Sequence, residues 1–342
     1  MDTNLIQYLK EFLSKNDLDG IIINSTNEFL VEYNMLSLNS RYFVTDFTGS
    51  TGDVLFTGEK ISLFVDTRYH EQADNQVNHD YTDVIKMPMA QSFLSALISE
   101  IPPYFKLGIT AKKTSKKFYD LLYKNLKQKN VSIKLLNTDP VIEYKRNSIK
   151  NINYSIFDVP EEIAGSSADD KFKTIKQYAE GNFNILVTSL EDIAYLTNKR
   201  SYDFPYSAIF PAKAIINQDG VKIFSDCDIK GIGDYYQILP FNLFEDYVRK
   251  IEKSVLYIDD SNISIYDYNL INKNNTILQS RLNLFKTVKN ESEINHLKKC
   301  FERADNALKK IYYMLQEDRI YSEYEYYEAL IESMKENGAL SL

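Results

Sequence analysis

With 48 acidic and 40 basic residues interspersed over 342 positions, the chain has a mild net charge of −8 and no basic footprint for nucleic acid or an anionic membrane. No apolar run approaches the roughly 20 residues that cross a bilayer, and the start MDTNLIQYLKEFLSKNDL lacks a basic leader, so the chain reads as cytoplasmic. The two cysteines, Cys227 and Cys300, make neither a CxxC pattern nor a disulfide framework. The length suits about two to three domains.

In chain order, Leu5, Ile6, Leu9, Phe12 and Leu13 recur at helical spacing, and Asp17 to Gly20 ends that helix. Gly20 to Asn24 is a β-branched run expected to be a buried strand. Ser25-Thr26-Asn27-Glu28 is expected to cap a second helix with Phe29, Leu30 and Tyr33 on one side. Two β-type runs follow, Asp53 to Phe56 and Ile61 to Val65, joined by the tight turn Thr57-Gly58-Glu59-Lys60. Phe47-Thr48-Gly49-Ser50-Thr51-Gly52 precedes this hairpin, and Asp66-Thr67-Arg68-Tyr69 leads out of it into a helix. The hairpin therefore presents an acid, a guanidinium and a phenol where a strand meets a helix. The residues alone are also compatible with an ordinary turn and a surface ion pair. Helices at Phe93 to Ile101 and Ser115 to Lys127, with strands at Lys106 to Ile109 and Val131 to Leu136, complete an α/β unit.

Pro140 to Asp170 is polar and broken by Pro140, Pro160 and Gly165, and reads as connecting chain. The next unit repeats the plan of the first: a helix from Asp170 to Ala179, a strand at Asn184 to Thr188, a capped helix from Ser189 to Asn198, and a hairpin pairing Lys213 to Asn217 with Val221 to Ser225. Self-similarity of this length implies a duplicated domain with two like sheets. Near Arg281 a third piece opens. Asn290 with Glu293, and Ser322 with Glu325, form capping boxes for two amphipathic helices.

Arg41, Phe47-x-Gly49-Ser50-x-Gly52 and Asp66-x-Arg68-Tyr69-x-x-Gln72-Ala73 together resemble the N-terminal domain of the three-domain aminopeptidase P (Xaa-Pro aminopeptidase) family, a creatinase-type fold. The more specific match is Leu190-Glu191-Asp192-Ile193-Ala194-Tyr195-Leu196-Thr197-Asn198-x-Arg200, although Ser201, Ser207 and Ala208 depart from the family's Gly and Asn-Pro. Ile163 to Lys171 resembles the start of the second domain, without the usual upstream Trp and Asp-Arg-Pro run. Val288-Lys289-Asn290-x-x-Glu293-Ile294 resembles the start of the catalytic pita-bread domain.

The resemblance implies an α/β chain of two tandem creatinase N-terminal-like domains, each a mixed sheet flanked by helices, followed by the opening helices of a truncated pita-bread domain. The expected boundaries are 1–139 and 170–283 for the two domains, 140–169 for the linker and 284–342 for the start of the third. The implied function is that of the non-catalytic portion of a metallo-aminopeptidase that releases the residue before proline, with short proline-containing peptides as partners and a homodimer compatible with the family. Arg68 falls on the family's peptide-contacting arginine, and Asp66, Tyr69 and Arg41 are further substrate-site candidates. The full enzyme would hold two divalent ions, manganese or zinc. None is expected on this chain, whose His70, His79 and His296 are isolated. The alternative is a complete, non-catalytic peptide-binding or assembly module of the same architecture.

Overall fold

The computed structural model describes residues 2–179 and 181–339. The first domain opens with helix α1 (Thr3–Asn16), capped by the Asp2 carboxylate and ended by Asp17 in a left-handed conformation. Strand β1 (Gly20–Ile23) follows, fully buried, then α2 (Ser40–Thr45), the hairpin β2 (Asp53–Phe56) and β3 (Ile61–Val65), and α3 (His70–Gln76). The domain continues through β4 (Thr82–Lys86), α4 (Phe93–Glu100), β5 (Lys106–Thr110), α5 (Lys116–Leu126), β6 (Ser132–Leu136) and α6 (Pro140–Lys145). After β7 (Phe157–Asp158) and α7 (Glu161–Ala164), the second domain contains α8 (Ala168–Tyr178), β8 (Phe183–Val187), α9 (Leu190–Thr197) and β9 (Lys199–Arg200). It then runs through the hairpin β10 (Lys213–Asn217) and β11 (Gly220–Phe224), β12 (Tyr236–Leu239), α10 (Phe244–Arg249), β13 (Val255–Ile258), α11 (Ile265–Leu270) and β14 (Thr276–Gln279). Helices α12 (Leu282–Thr287), α13 (Glu291–Met314) and α14 (Glu323–Glu336) follow. No described helix is long and apolar enough to cross a membrane.

The repeat legible in the sequence is a repeat of topology. One six-stranded sheet has the order β4-β3-β2-β1-β5-β6 and the other β12-β11-β10-β8-β13-β14. The hairpin strands pair antiparallel with each other and with β1 or β8, and the outer strands pair in parallel. Each sheet is packed on both faces, which is why β1, β3 and β8 are rich in apolar residues and buried without alternation.

The two domains meet through corresponding turns. Ser115 caps α5 after β5, and Ser264 caps α11 after β13, the strand that occupies the same place in its sheet. These serines face each other in an antiparallel bridge. Lys116 N–H donates to Ile263 O at 2.9 Å, and Ile265 N–H donates to Thr114 O at 2.8 Å. The reciprocity makes the contact a local two-fold.

Two expectations are corrected, and one edge strand is added. Ser25 to Tyr33 is not a helix. Asn27 Oδ1 accepts from Phe29 N–H at 3.0 Å and Val31 N–H at 3.4 Å, Leu30 is left-handed at φ 59°, and Asn34 donates to Ser25 O and Leu38 O, both at 3.1 Å. These side-chain bonds replace the helical ladder, and the freed segment inserts Val31 into the second domain's core. Pro140–Lys145, read as connecting chain, is a helix capped by Asp139 with Val141 fully buried. Strand β4 had no counterpart in the sequence reading; at the sheet edge Thr82 is buried, Val84 and Ile85 are half-buried, and Asp83 and Lys86 are exposed.

One buried ion pair joins the second hairpin to its own sheet cover: Lys213 Nζ lies 2.6 Å from Asp267 Oδ2, with side chains 6% and 2% exposed. Removing one partner of such a pair strands the other charge, at a cost of about 3–5 kcal/mol. Asp267→Ala is therefore expected to lower the unfolding free energy by about 3 kcal/mol in urea titration; a loss under about 1 kcal/mol would show that solvent reaches Lys213.

Candidate functional site

The four residues singled out in the sequence converge on one loop. Arg41 on α2 is fully buried; its Nη2 donates to Gly49 O at 2.6 Å and its Nη1 to Thr51 O at 3.4 Å. Its guanidinium also lies 4.6 Å from the Phe47 ring centroid. Burial pulls the Arg41 pKa down to about 10, against the opposing charge of Asp53, so it stays cationic at neutral pH. Tyr69 shares a hydrogen bond with Ser50 Oγ at 2.8 Å and accepts from Ser50 N–H at 3.3 Å. Asp66 accepts from Thr51 Oγ1 at 3.3 Å. Gly49 has no room for a side chain, because a Cβ there would lie 2.3 Å from the Phe47 ring.

Arg68 is the exposed member of the set, its side chain 62% accessible. Its Nε donates to Asp66 Oδ1 at 3.0 Å and its Nη2 to Asp66 Oδ2 at 2.8 Å, a fork that holds the guanidinium in one orientation. The ring of Tyr69 lies 5.2 Å from it. The Nη1 group makes no hydrogen bond to any described residue, leaving donors for one external oxygen rather than a two-pronged grip. A cavity of about 410 Å³ adjoins, lined in part by Thr51, Asp53, Asp66, Glu32 and Phe93.

Beneath the loop, Asp53 accepts from Ser25 N–H at 2.7 Å and Asn24 Nδ2 at 3.3 Å. Burial pushes its carboxyl above the usual carboxylate range, partly offset by these bonds and by Arg41. Glu32, which accepts from Ser50 Oγ at 3.1 Å, was missed by sequence reasoning: it lies 18 residues away, inside the stretch expected to be helical. Arg200 turns inward, donating to Ala194 O and, at 2.9 Å, to Lys199 O, and so ties down the end of α9.

The described residues do not fit a metal centre. No group of three His, Cys, Asp or Glu among them is placed to hold an ion. His70 meets Met87 O at 3.1 Å, His79 meets Asp74 O at 2.9 Å and His296 meets Cys300 Sγ at 3.4 Å, three separate places.

The Creatinase/Prolidase N-terminal domain family matches the chain twice, over residues 6–147 and 150–293. Xaa-Pro aminopeptidase 1 of Dictyostelium discoideum is 26% identical over 340 residues, covering 92% of this chain and 53% of the relative. The chain belongs to the aminopeptidase P family. Probable Xaa-Pro aminopeptidase P of Laccaria bicolor is 24% identical over 334 residues, covering 92% of this chain and 52% of the relative. In fold, the chain resembles the X-prolyl aminopeptidase of Caenorhabditis elegans, described as a cytosolic enzyme with a di-nuclear active site. The TM-score is 0.80 at 17% identity, over 92% of this chain and 55% of that one. The chain thus spans about half the length of the curated relatives it matches.

The Asp66–Arg68 fork has a titration signature. Hydrogen bonds from Arg68 hold the Asp66 carboxyl at about 2, below its ordinary 3.8. Because the folded value is depressed, the fork's contribution is complete above about pH 4 and fades as acid approaches pH 2. Carboxyl carbon NMR should place the Asp66 midpoint near 2 and show it rising toward 3.8 in Arg68→Ala; an unmoved midpoint would remove Arg68 as the cause.

Proposed function

We propose that this chain is the amino-terminal, non-catalytic portion of an Xaa-Pro aminopeptidase, which shapes the entrance to the active site and positions peptide. The intact enzyme would release the first residue from short peptides with proline in second place, in the cytosol. Residues 1–139 together with α6, and residues 170–283, would form the two creatinase-like domains, joined by the rest of the linker 140–169, with 284–342 starting the catalytic domain. Two divalent ions, manganese or zinc, would be held by a segment this chain does not contain, so the chain alone would not hydrolyse peptide.

The observation that carries the reading is the exposed guanidinium of Arg68, held rigid by Asp66 above a loop whose carbonyls are engaged by Arg41. A pre-oriented donor loses little freedom when it takes a peptide oxygen. Asp66, Tyr69 and Arg41 would then act on the peptide through Arg68 and the 49–52 loop. In the enzyme assembled with its catalytic half, Arg68→Ala should lower kcat/KM on a short Xaa-Pro peptide by about tenfold or more, the worth of one charge-assisted hydrogen bond. An unchanged kcat/KM would exclude the role.

A second observation supports the partition. Helices α12 to α14 and their connections leave Val288, Phe301, Leu315 and Ile320 at 79%, 67%, 63% and 97% exposure, an apolar surface suited to burial against further protein. The isolated 342-residue chain should therefore self-associate with rising concentration in sedimentation velocity, and Phe301→Glu should weaken that association. A chain that stays monomeric into the high micromolar range would contradict the need for a covering domain.

A further inference from the structure

A second cavity, of about 900 Å³, lies between the two domains and away from Arg68. Asn27, Thr110 and Asn137 line it, and these lie at or just beyond the carboxyl ends of β1, β5 and β6, three adjacent strands that run parallel in the first sheet. That end of an open sheet, closed over by a second domain, is a recurrent place for small-ligand sites, and the volume is in their usual range.

The chemistry of the lining narrows the ligand. Four rings contribute: Phe29 meets Phe241 edge-on at 5.7 Å between centroids, and Tyr154 stacks on Phe204 at 5.5 Å. Several lining charges are already engaged. Lys113 pairs with Asp139 at 2.7 Å, and Ser40 bonds to both, at 2.8 Å from Lys113 and 2.6 Å from Asp139, so the floor is fixed beforehand. Lys112 lies 3.6 Å from Glu245, and Asp228 pairs with Lys230 at 2.9 Å. Glu143 accepts from Thr138 Oγ1 at 3.2 Å and Asp226 from Phe241 N–H at 3.0 Å. The side chains of Glu28 and Arg146 differ: both line the cavity, and neither makes a hydrogen bond or ion pair with any described residue. One spare carboxylate and one spare guanidinium in an aromatic-walled space match a small zwitterion with an apolar body.

We propose that the interdomain cavity binds a free dipeptide or tripeptide, its ammonium taken by Glu28, its carboxylate by Arg146 and its apolar side chain by Phe29, Phe204 and Phe241. The site stands apart from the peptide-positioning role of Arg68 and does not depend on it. Because its walls come from both domains, occupancy also stabilises their docking.

Isothermal titration of the 342-residue chain with L-alanyl-L-phenylalanine, a dipeptide without proline, keeps this test separate from the aminopeptidase reading. Saturable binding is expected, weakened about tenfold by acetylating the amine or amidating the carboxylate. Arg146→Ala, an exposed position, should weaken the free dipeptide by a similar factor while leaving the amidated form nearly unaffected, since both changes remove the same contact. Glu28→Gln should do the same with the acetylated form. Absence of saturable binding, equal binding of free and blocked peptides, or loss of binding in Arg68→Ala instead of Arg146→Ala would overturn the proposal.

Discussion

Two helix-capping turns facing each other across a local two-fold set the geometry on which the rest depends. Ser115 and Ser264 lie at matched positions after matched strands, and their neighbours exchange backbone hydrogen bonds in both directions. Such a contact uses main-chain groups that a helix start leaves without intrahelical partners, so it satisfies donors that would otherwise need water. Lysines add to it from one side: Lys112 sits over the Tyr266 ring and Lys116 over the Tyr268 ring, at 4.6 and 4.5 Å. The domains are therefore oriented by backbone geometry and aromatic contact, with long charges only at the rim.

The segment from Asn27 to Asn34 locks that orientation. It leaves the first sheet, abandons helical bonding in favour of its own asparagine side chains, and delivers Val31 to the core of the other domain. The same segment supplies Phe29 to the interdomain cavity and Glu32 to the loop beneath Arg68. One irregular stretch thus couples the domain interface to both candidate sites.

What could be read from the sequence was local. The strands β1, β2, β3, β8 and β10, the caps Ser189, Asn290 and Ser322, and the duplicated plan all rest on short-range patterns that tertiary structure did not override. The stretch Ser25 to Tyr33 misled because Ser-Thr-Asn-Glu fits a helix start as well as it fits asparagine-braced turns, and only the neighbouring domain decides between them. Helix α6 was obscured by its proline, which is well placed at a first helical turn. At the site, the cluster Asp66, Arg68 and Tyr69 was contiguous and therefore visible. The burial of Arg41 and the link from Glu32 to Ser50 required the fold, because nothing in the local pattern says which long polar side chain points inward.

The register of the two hairpins makes one position directly comparable. Asp53 and Lys213 each open the first hairpin strand, each lies opposite a phenylalanine, Phe64 or Phe224, and each precedes the residue paired with the last position of the central strand. One copy of the scaffold thus carries an aspartate where its twin carries a lysine. The acid leaves Arg41 an electrostatic companion and lets the neighbouring glycine-rich turn be organised around it, whereas the lysine turns to Asp267 and ties its hairpin to α11. At the same hairpin position one half thus sets an acid near Arg41 and the other a lysine that anchors its strand to the covering helix.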